Sequence, residues 1–275
     1  MVEENKEMDI AIEEIDEKEE EKLLKEEASS IERDVWQPRT SLGKKVKSGE
    51  ITNIDQILDS GLNIMESEII DFLLPNISTE LLFVGQSKGK FGGGQKRVFK
   101  QTQKKTSEGN KPRFSAVAIS GDKNGHIGIG YGKSKETVPA REKAIRNSKI
   151  NIIKIRRGCG SWACGCKEPH SIPFKVSGRC GSCRIELFPA PKGTGLCVEE
   201  ECKKLLSLAG IKDVWSKTKG QSRTKLNLLI ACFNALRSLM EFKLQKKYFE
   251  PLGVVEGGIT TVTEKPGLEA QDEQS

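Results

Sequence analysis

Apolar and polar positions alternate most clearly between Phe99 and Lys149. Residues 113–120 place Phe114, Ala116 and Ala118 at a period of two, which predicts a strand with one buried face. Residues 99–105 read as a polar strand ahead of it. Thr106-Ser-Glu-Gly-Asn110 reads as the turn between them, so the two runs predict a hairpin. Asn124-Gly125 is a tight-turn signal, and residues 126–133 are the returning strand. Gly128, Gly130 and Gly132 in that strand lack the spacing of a dinucleotide-binding loop and suit close packing under a helix. The helix follows at once. Ser134 is its candidate cap, and Pro139 falls in its first turns. Ala140, Ala144 and Ile145 face inward, while Lys135, Arg141, Lys143, Arg146 and Lys149 face solvent. Asn151-Ile-Ile-Lys-Ile155 extends the unit.

Weaker periodicity flanks this unit. Ile54, Ile57 and Leu58 have helical spacing, with Gly61 as a stop. Ile64, Ile69, Ile70 and residues 72–74 suggest a second short helix ended by Pro75. Both read as docking helices that pad the sheet. Downstream, strands are expected near residues 172–176 and 183–188, with an extended run at 211–215 and a basic polar loop at 216–224. A helix is expected at 198–209, with Leu205, Leu206 and Leu208 inside and Gly210 as its stop. The last helix covers 225–242, with Leu229, Phe233, Leu236 and Met240 at buried spacing. The pattern gives five segments: an acidic disordered arm (1–34), a helical extension (35–78), a sheet-plus-helix domain (79–157), a second domain (158–243) and a flexible tail (244–275).

Charge sharpens this picture. The 275 residues carry a formal net charge of +6, but residues 1–34 hold 15 acidic and 5 basic side chains. The remaining 241 residues therefore hold 40 basic and 24 acidic ones. A basic body with an acidic arm points to a polyanionic partner. From Gln86 to Arg113 there are nine basic residues against Glu108 alone. Lys104 and Lys105 precede the hairpin turn, and Lys111 and Arg113 follow it, a placement suited to phosphate contact. Lys44, Lys45, Lys123, Lys133, Lys135, Arg156, Arg157, Lys192, Lys217, Lys219 and Arg223 are the further candidates for gripping RNA. For each one, a solvated face is the alternative. No run approaches the roughly 18 apolar residues of a membrane span, and with acidic residues after Met1 in place of a positive region and an apolar core, no secretory signal is expected.

Eight cysteines in such a chain suggest reduced thiols or a metal site rather than disulfides. Cys159, Cys164, Cys166 and His170 have the spacing C-x4-C-x-C-x3-H, with glycines that permit tight wrapping, so a structural zinc site is chemically reasonable. Cys180 and Cys183 could substitute for some of these ligands. Free thiols beside a packed or RNA-facing His170 are the alternative. Cys197, Cys202 and Cys232 read as small core residues. No enzyme is expected. Lys192-Gly-Thr194 lacks a nucleotide-loop spacing, and the two histidines have no nucleophile at motif distance. The His-x-Glu and Pro-Cys-x-x-Cys pieces of a zinc deaminase are also missing.

Ser120-Gly-Asp-Lys-Asn-Gly-His-Ile-Gly-Ile-Gly-Tyr-Gly132, Arg156-Arg-Gly-Cys-Gly-Ser-Trp162, Phe188-Pro-Ala-Pro-Lys-Gly-Thr-Gly195 and Leu208-Ala-Gly-Ile-Lys-Asp-Val-Trp215 occur in one order. With them, roughly residues 36–242 resemble the small-subunit ribosomal protein family called S-five in bacteria and S-two in eukaryotes, in its archaeal form. The resemblance implies an α+β fold. A double-stranded-RNA-binding-like sheet with a helix would come first, then a compact α/β domain akin to small kinase-like domains. It implies a cytoplasmic ribonucleoprotein role in translation: binding small-subunit rRNA near the channel through which mRNA enters, beside proteins S-three, S-four and S-eight, with an influence on decoding accuracy. It also implies that the lysine-bearing hairpin is the loop reaching RNA near the decoding region. The arm, the insertion around residues 87–94 and the tail depart from the family pattern. A free-standing double-stranded-RNA-binding regulator is the competing reading.

Overall fold

The computed structural model describes residues 36–87 and 96–258. The acidic arm, residues 88–95 and the tail beyond residue 258 lie outside the described residues.

Three short helices come first: α1 (Ser41–Lys47), α2 (Ile54–Asp59) and α3 (Glu68–Leu73). The two expected helices are α2 and α3. Helix α1 hides in its lysines, because only Leu42 and Val46, four residues apart, mark its buried side. Thr40 caps it by accepting the Gly43 N–H at 3.0 Å. The Glu66 carboxylate accepts the backbone N–H of Thr40 and Arg39 and the Trp36 indole N–H. Burial opposes its ionisation, but those donors outweigh it and hold Glu66 below the usual carboxylate range. Leu42, Val46, Ile54, Ile57, Ile69 and Ile70 close over Ile152 of the first sheet, so these helices do pad it.

That sheet contains β1 (Ser78–Leu81), β2 (Lys100–Thr106), β3 (Gly109–Gly121), β4 (His126–Ser134) and β5 (Ile152–Lys154), in the order β1-β3-β4-β5 with β2 also on β3. All pairings are antiparallel. β1 pairs with residues 118–121 of β3 and β2 with residues 109–115, one after the other along a single edge. β4 takes the opposite edge from Phe114 to Gly121. Residues 109–113 therefore have β2 alone beside them, and the hairpin projects past the sheet as a two-stranded ribbon.

Helix α4 (Thr137–Ile150) lies on the Ala116 and Ala118 face. The glycines explain how it lies so close. A methyl group built on Gly128, Gly130 or Gly132 would stand 2.0, 2.2 or 2.1 Å from the carbonyl oxygen of Ser148, Ala144 or Ala140. The cap is Glu136 rather than Ser134, which is still paired with Phe114 as the last residue of β4. Lys149 is not solvated. Its amine sits 2.6 Å from the Asp71 carboxylate, because α3 packs against that end of α4. The β3–β4 connection is also wider than an Asn-Gly turn. It runs over residues 122–125, with Lys123 (φ 61°) and Gly125 (φ 99°) left-handed. Asp122 sets this shape by accepting the N–H groups of Asn124 and His126.

Beyond β6 (Arg156–Arg157) a second sheet forms from β7 (Val176–Cys180), β8 (Cys183–Pro189), β9 (Leu196–Cys197) and β10 (Val214–Lys219), in the order β7-β8-β10-β9. Helices α5 (Glu200–Leu208) and α6 (Lys225–Glu241) cover it. The strand expected at 172–176 starts only at Val176. Residues 216–219, expected as loop, continue β10, whose outer half alternates too little to be read as strand. Cys202 and Cys232 are buried as expected, whereas Cys197 on β9 is exposed. Val117, Ile119 and Ile127 of the first sheet share one core with Ile185, Leu187, Leu205, Leu229 and Leu236 of the second. The two modules are therefore fused by burial rather than linked.

The expected flexible tail is wrong for residues 244–258. A single turn at Lys246–Tyr248 leads into α7 (Phe249–Leu252) and then β11 (Val255–Glu256), which pairs antiparallel with β6. Buried Val254 and an Arg156–Glu256 ion pair at 2.6 Å hold it there. A segment this short carries no periodicity that could announce such a return.

Candidate nucleic-acid interface and cysteine cluster

The ribbon's register decides how its charges are displayed. Lys104 stands opposite Lys111, and Thr102 opposite Arg113. Strand alternation puts Lys100, Lys104, Lys111 and Arg113 on one face and Lys105, opposite Asn110, on the other. All five are exposed. Like charges directly opposite one another destabilise a strand pair, so the Lys104–Lys111 pairing is a local cost that a polyanion would relieve. Lys111 has an intramolecular partner, Glu108, at 2.7 Å. Lys104, Lys105 and Arg113 form no ion pair among the described residues.

Arg113 also reaches a groove of about 450 Å³ that it shares with Lys133, Ser134, Lys135, Glu136 and Pro139, beside the first turn of α4. The fold thus brings three sequence-predicted cations from the hairpin and from the β4–α4 junction to one place. A second groove, of about 850 Å³, lies between the modules and is lined by Lys123, Lys203 and Lys212 with part of Arg157. Sequence reasoning missed Lys203 and Lys212. The available signals were an exposed position on α5 and the loop after Gly210. Lys44 and Lys45 stand on the exposed face of α1, and Lys217 and Arg223 are exposed on the second sheet and the loop after it.

Two candidates are corrected. Arg156 and Arg157 are 9% and 4% exposed and face inward. Arg156 binds the Glu256 carboxylate and donates to the carbonyls of Leu239 and Phe242. Arg157 donates to the carbonyls of Lys123, Asn124 and Gly257. Unsatisfied backbone acceptors at the module junction claim both guanidiniums. Two others are exposed but already paired. Lys192 bonds Glu168 at 2.7 Å. Lys219 bonds Glu186 at 2.8 Å, and with Lys175 it holds that carboxyl down to about 2.

The cysteines gather as their spacing suggested. One ligand atom from each of Cys159, Cys164, Cys166 and His170 lies within 4.8 Å of all the others. The Sγ atoms of Cys164 and Cys166 are 3.4 Å apart, and His170 Nε2 is 3.8 Å from Cys164 Sγ. His170 Nδ1 is 2.8 Å from the buried Asp213 carboxylate, which aims the other ring nitrogen at the sulfurs. The backbone N–H groups of Lys192 and Cys166 stabilise the Cys164 thiolate and bring it down to about 6. Burial, then the Cys164 and Cys166 sulfurs, push Cys159 up to about 11. Cys180 and Cys183 do not join this group. They face each other across the β7–β8 hairpin, and Cys183 Sγ bonds to the Gln221 carbonyl. Trp162, on the same loop, is 92% exposed.

Known proteins resemble this chain over most of its length. Residues 95–156 match the profile of "Ribosomal protein S5, N-terminal domain", and residues 178–247 match "Ribosomal protein S5, C-terminal domain". The cysteine-bearing segment falls between the two matches. "Small ribosomal subunit protein uS5" of Nanoarchaeum equitans is 50% identical over 224 residues, which cover 82% of this chain and 96% of that protein. The protein of the same name from Methanocaldococcus jannaschii is 47% identical over 226 residues, covering 82% and 97%. That of Pyrobaculum calidifontis is 46% identical over 216 residues, covering 78% and 100%.

Proposed function

Because the chain belongs to the ribosomal protein S5 family, in its archaeal form, we propose that it is a structural constituent of the small ribosomal subunit that binds rRNA and catalyses no reaction. The observation that carries the RNA contact is the projecting ribbon, with Lys100, Lys104, Lys111 and Arg113 on one face and no sheet behind the outer residues. Side chains at fixed spacing on a rigid ribbon can follow the phosphates of an RNA helix, whose deep major groove does not admit them and whose shallow minor groove is read by shape. The groove of Arg113, Lys133 and Lys135 extends this contact beside a helix N-terminus, where the backbone also favours anions. The family resemblance adds the finer reading. The chain lies near the channel through which mRNA enters, next to proteins S-three, S-four and S-eight, and supports decoding accuracy.

Sedimentation tests this reading. In moderate salt the protein should travel with small-subunit particles. Finding it mostly free, while still bound to double-stranded RNA, would favour an independent regulator instead.

A further inference from the structure

We infer that Cys159, Cys164, Cys166 and His170 bind one Zn²⁺, and that the ion fixes a loop to which two segments distant in sequence are tied by hydrogen bonds. The ligand set is three sulfurs and one imidazole nitrogen, the soft tetrahedral donor set that structural zinc takes. Zn–S bonds of about 2.3 Å in a tetrahedron place the ligands roughly 3.8 Å apart. The separations of 3.4 and 3.8 Å around Cys164 lie at or just below that value.

Several neighbours are arranged as a metal would require. Asp213 accepts from His170 Nδ1, which leaves Nε2 with its lone pair toward the cysteines. Asp213 is itself held, because its other carboxylate oxygen accepts the Gly195 N–H at 2.8 Å. Three thiolates and one Zn²⁺ leave a net charge of −1, and the backbone N–H groups of Lys192 and Cys166 donate to the Cys164 sulfur. Gly165, between the two close sulfurs, has open space around it, so the backbone can turn there without crowding.

The segments joined are the module link, the lead into β10 and the C-terminal return. The link supplies all four ligands, and Asp213 stands just before β10. The return is tied in where the Cys159 N–H donates to the Leu252 carbonyl at 2.7 Å and where Gly253 packs against Lys167 too tightly for a side chain. Neither sheet reaches residues 159–170, and although Cys159, Ser161 and His170 are buried, residues 162–169 are exposed or half-buried, so packing holds little of the loop's middle. A bound ion supplies the missing crosslink within the loop. On binding, the thiols that ligate release their protons to solvent.

The test is metal analysis of the whole chain, purified without chelator. About one equivalent of zinc per chain is expected, with loss on adding a mercurial that titrates the thiols. Replacing zinc by Co²⁺ should give the strong visible d–d bands of a tetrahedral thiolate site. The half-exposed pair Cys164→Ser/Cys166→Ser should remove the metal, whereas Cys180→Ser/Cys197→Ser should keep it. Asp213→Asn should bind zinc about 10- to 100-fold more weakly while retaining the tetrahedral spectrum. Less than about a tenth of an equivalent, even after refolding with zinc, would overturn the inference. So would iron in its place, a Cys164–Cys166 disulfide in the protein as isolated, or full zinc content in the Cys164/Cys166 variant.

Discussion

His126 Nε2 lies 3.1 Å from the Asp55 carboxylate, 71 residues earlier in the chain, and this contact ties helix α2 to the β3–β4 turn. The opposite ring nitrogen is 2.6 Å from Asp122. Burial alone would lower the imidazole's pKa, but hydrogen bonds to Asp122 and Asp55 overcome it and raise it from 6.5 to about 9. The folded protein therefore holds a proton that the unfolded chain releases between those values. This contribution to stability is complete below pH 6.5 and is lost as pH rises through about 9. Asp55 and Asp122 are depressed, so their contribution is lost on acidification instead. Denaturant midpoints should fall between pH 6.5 and 9, and His126→Gln should flatten that slope while costing about 3 kcal/mol near neutrality.

Removing the ribbon's charge should change the salt dependence of RNA binding. With Lys104, Lys105, Lys111 and Arg113 all changed to Ala, the slope of log affinity against log salt should shrink by about 3. The fold should stay intact, since all four are exposed. An unchanged slope in a filter-binding series would refute the assignment.

Arg156 and Arg157 should behave in the opposite way. Arg156→Ala leaves Glu256 and two carbonyls without their donor and should cost about 3 kcal/mol in stability. Its effect on the RNA salt slope should be nil. A slope that falls by about 1 would return this residue to the interface.

Gly130→Ala should destabilise by about 3 kcal/mol, because the new methyl would meet Ala144 O and Ser148 N at 2.2 Å. Thermal unfolding measures this directly. The damage should spread to RNA binding at the Arg113–Lys133–Lys135 groove, since α4 would be lifted off the strand that carries Lys133.

Local chemistry made much of this legible. The hairpin, the helix-facing glycines and the clustered cysteines each follow from neighbours within about a dozen residues, where spacing largely fixes geometry. What escaped was non-local. Nothing near Arg156 and Arg157 announces that carbonyls 33 to 100 residues away will claim them. Lysine-rich runs misled in both directions, hiding α1 and making Lys149 and Lys219 look unpaired when Asp71 and Glu186 hold them. Lys203 and Lys212 became visible as site residues only once two modules had closed a groove between them.

The pairing of β11 with β6 has a consequence for synthesis. Arg156 and Arg157 emerge from the translating ribosome roughly a hundred residues before Glu256 and Gly257, the groups that complete their bonding. The first module is thus made early and sealed late. Until then its buried cations must wait in solvent, and a chain halted near residue 240 would expose a half-finished seam rather than an independent unit.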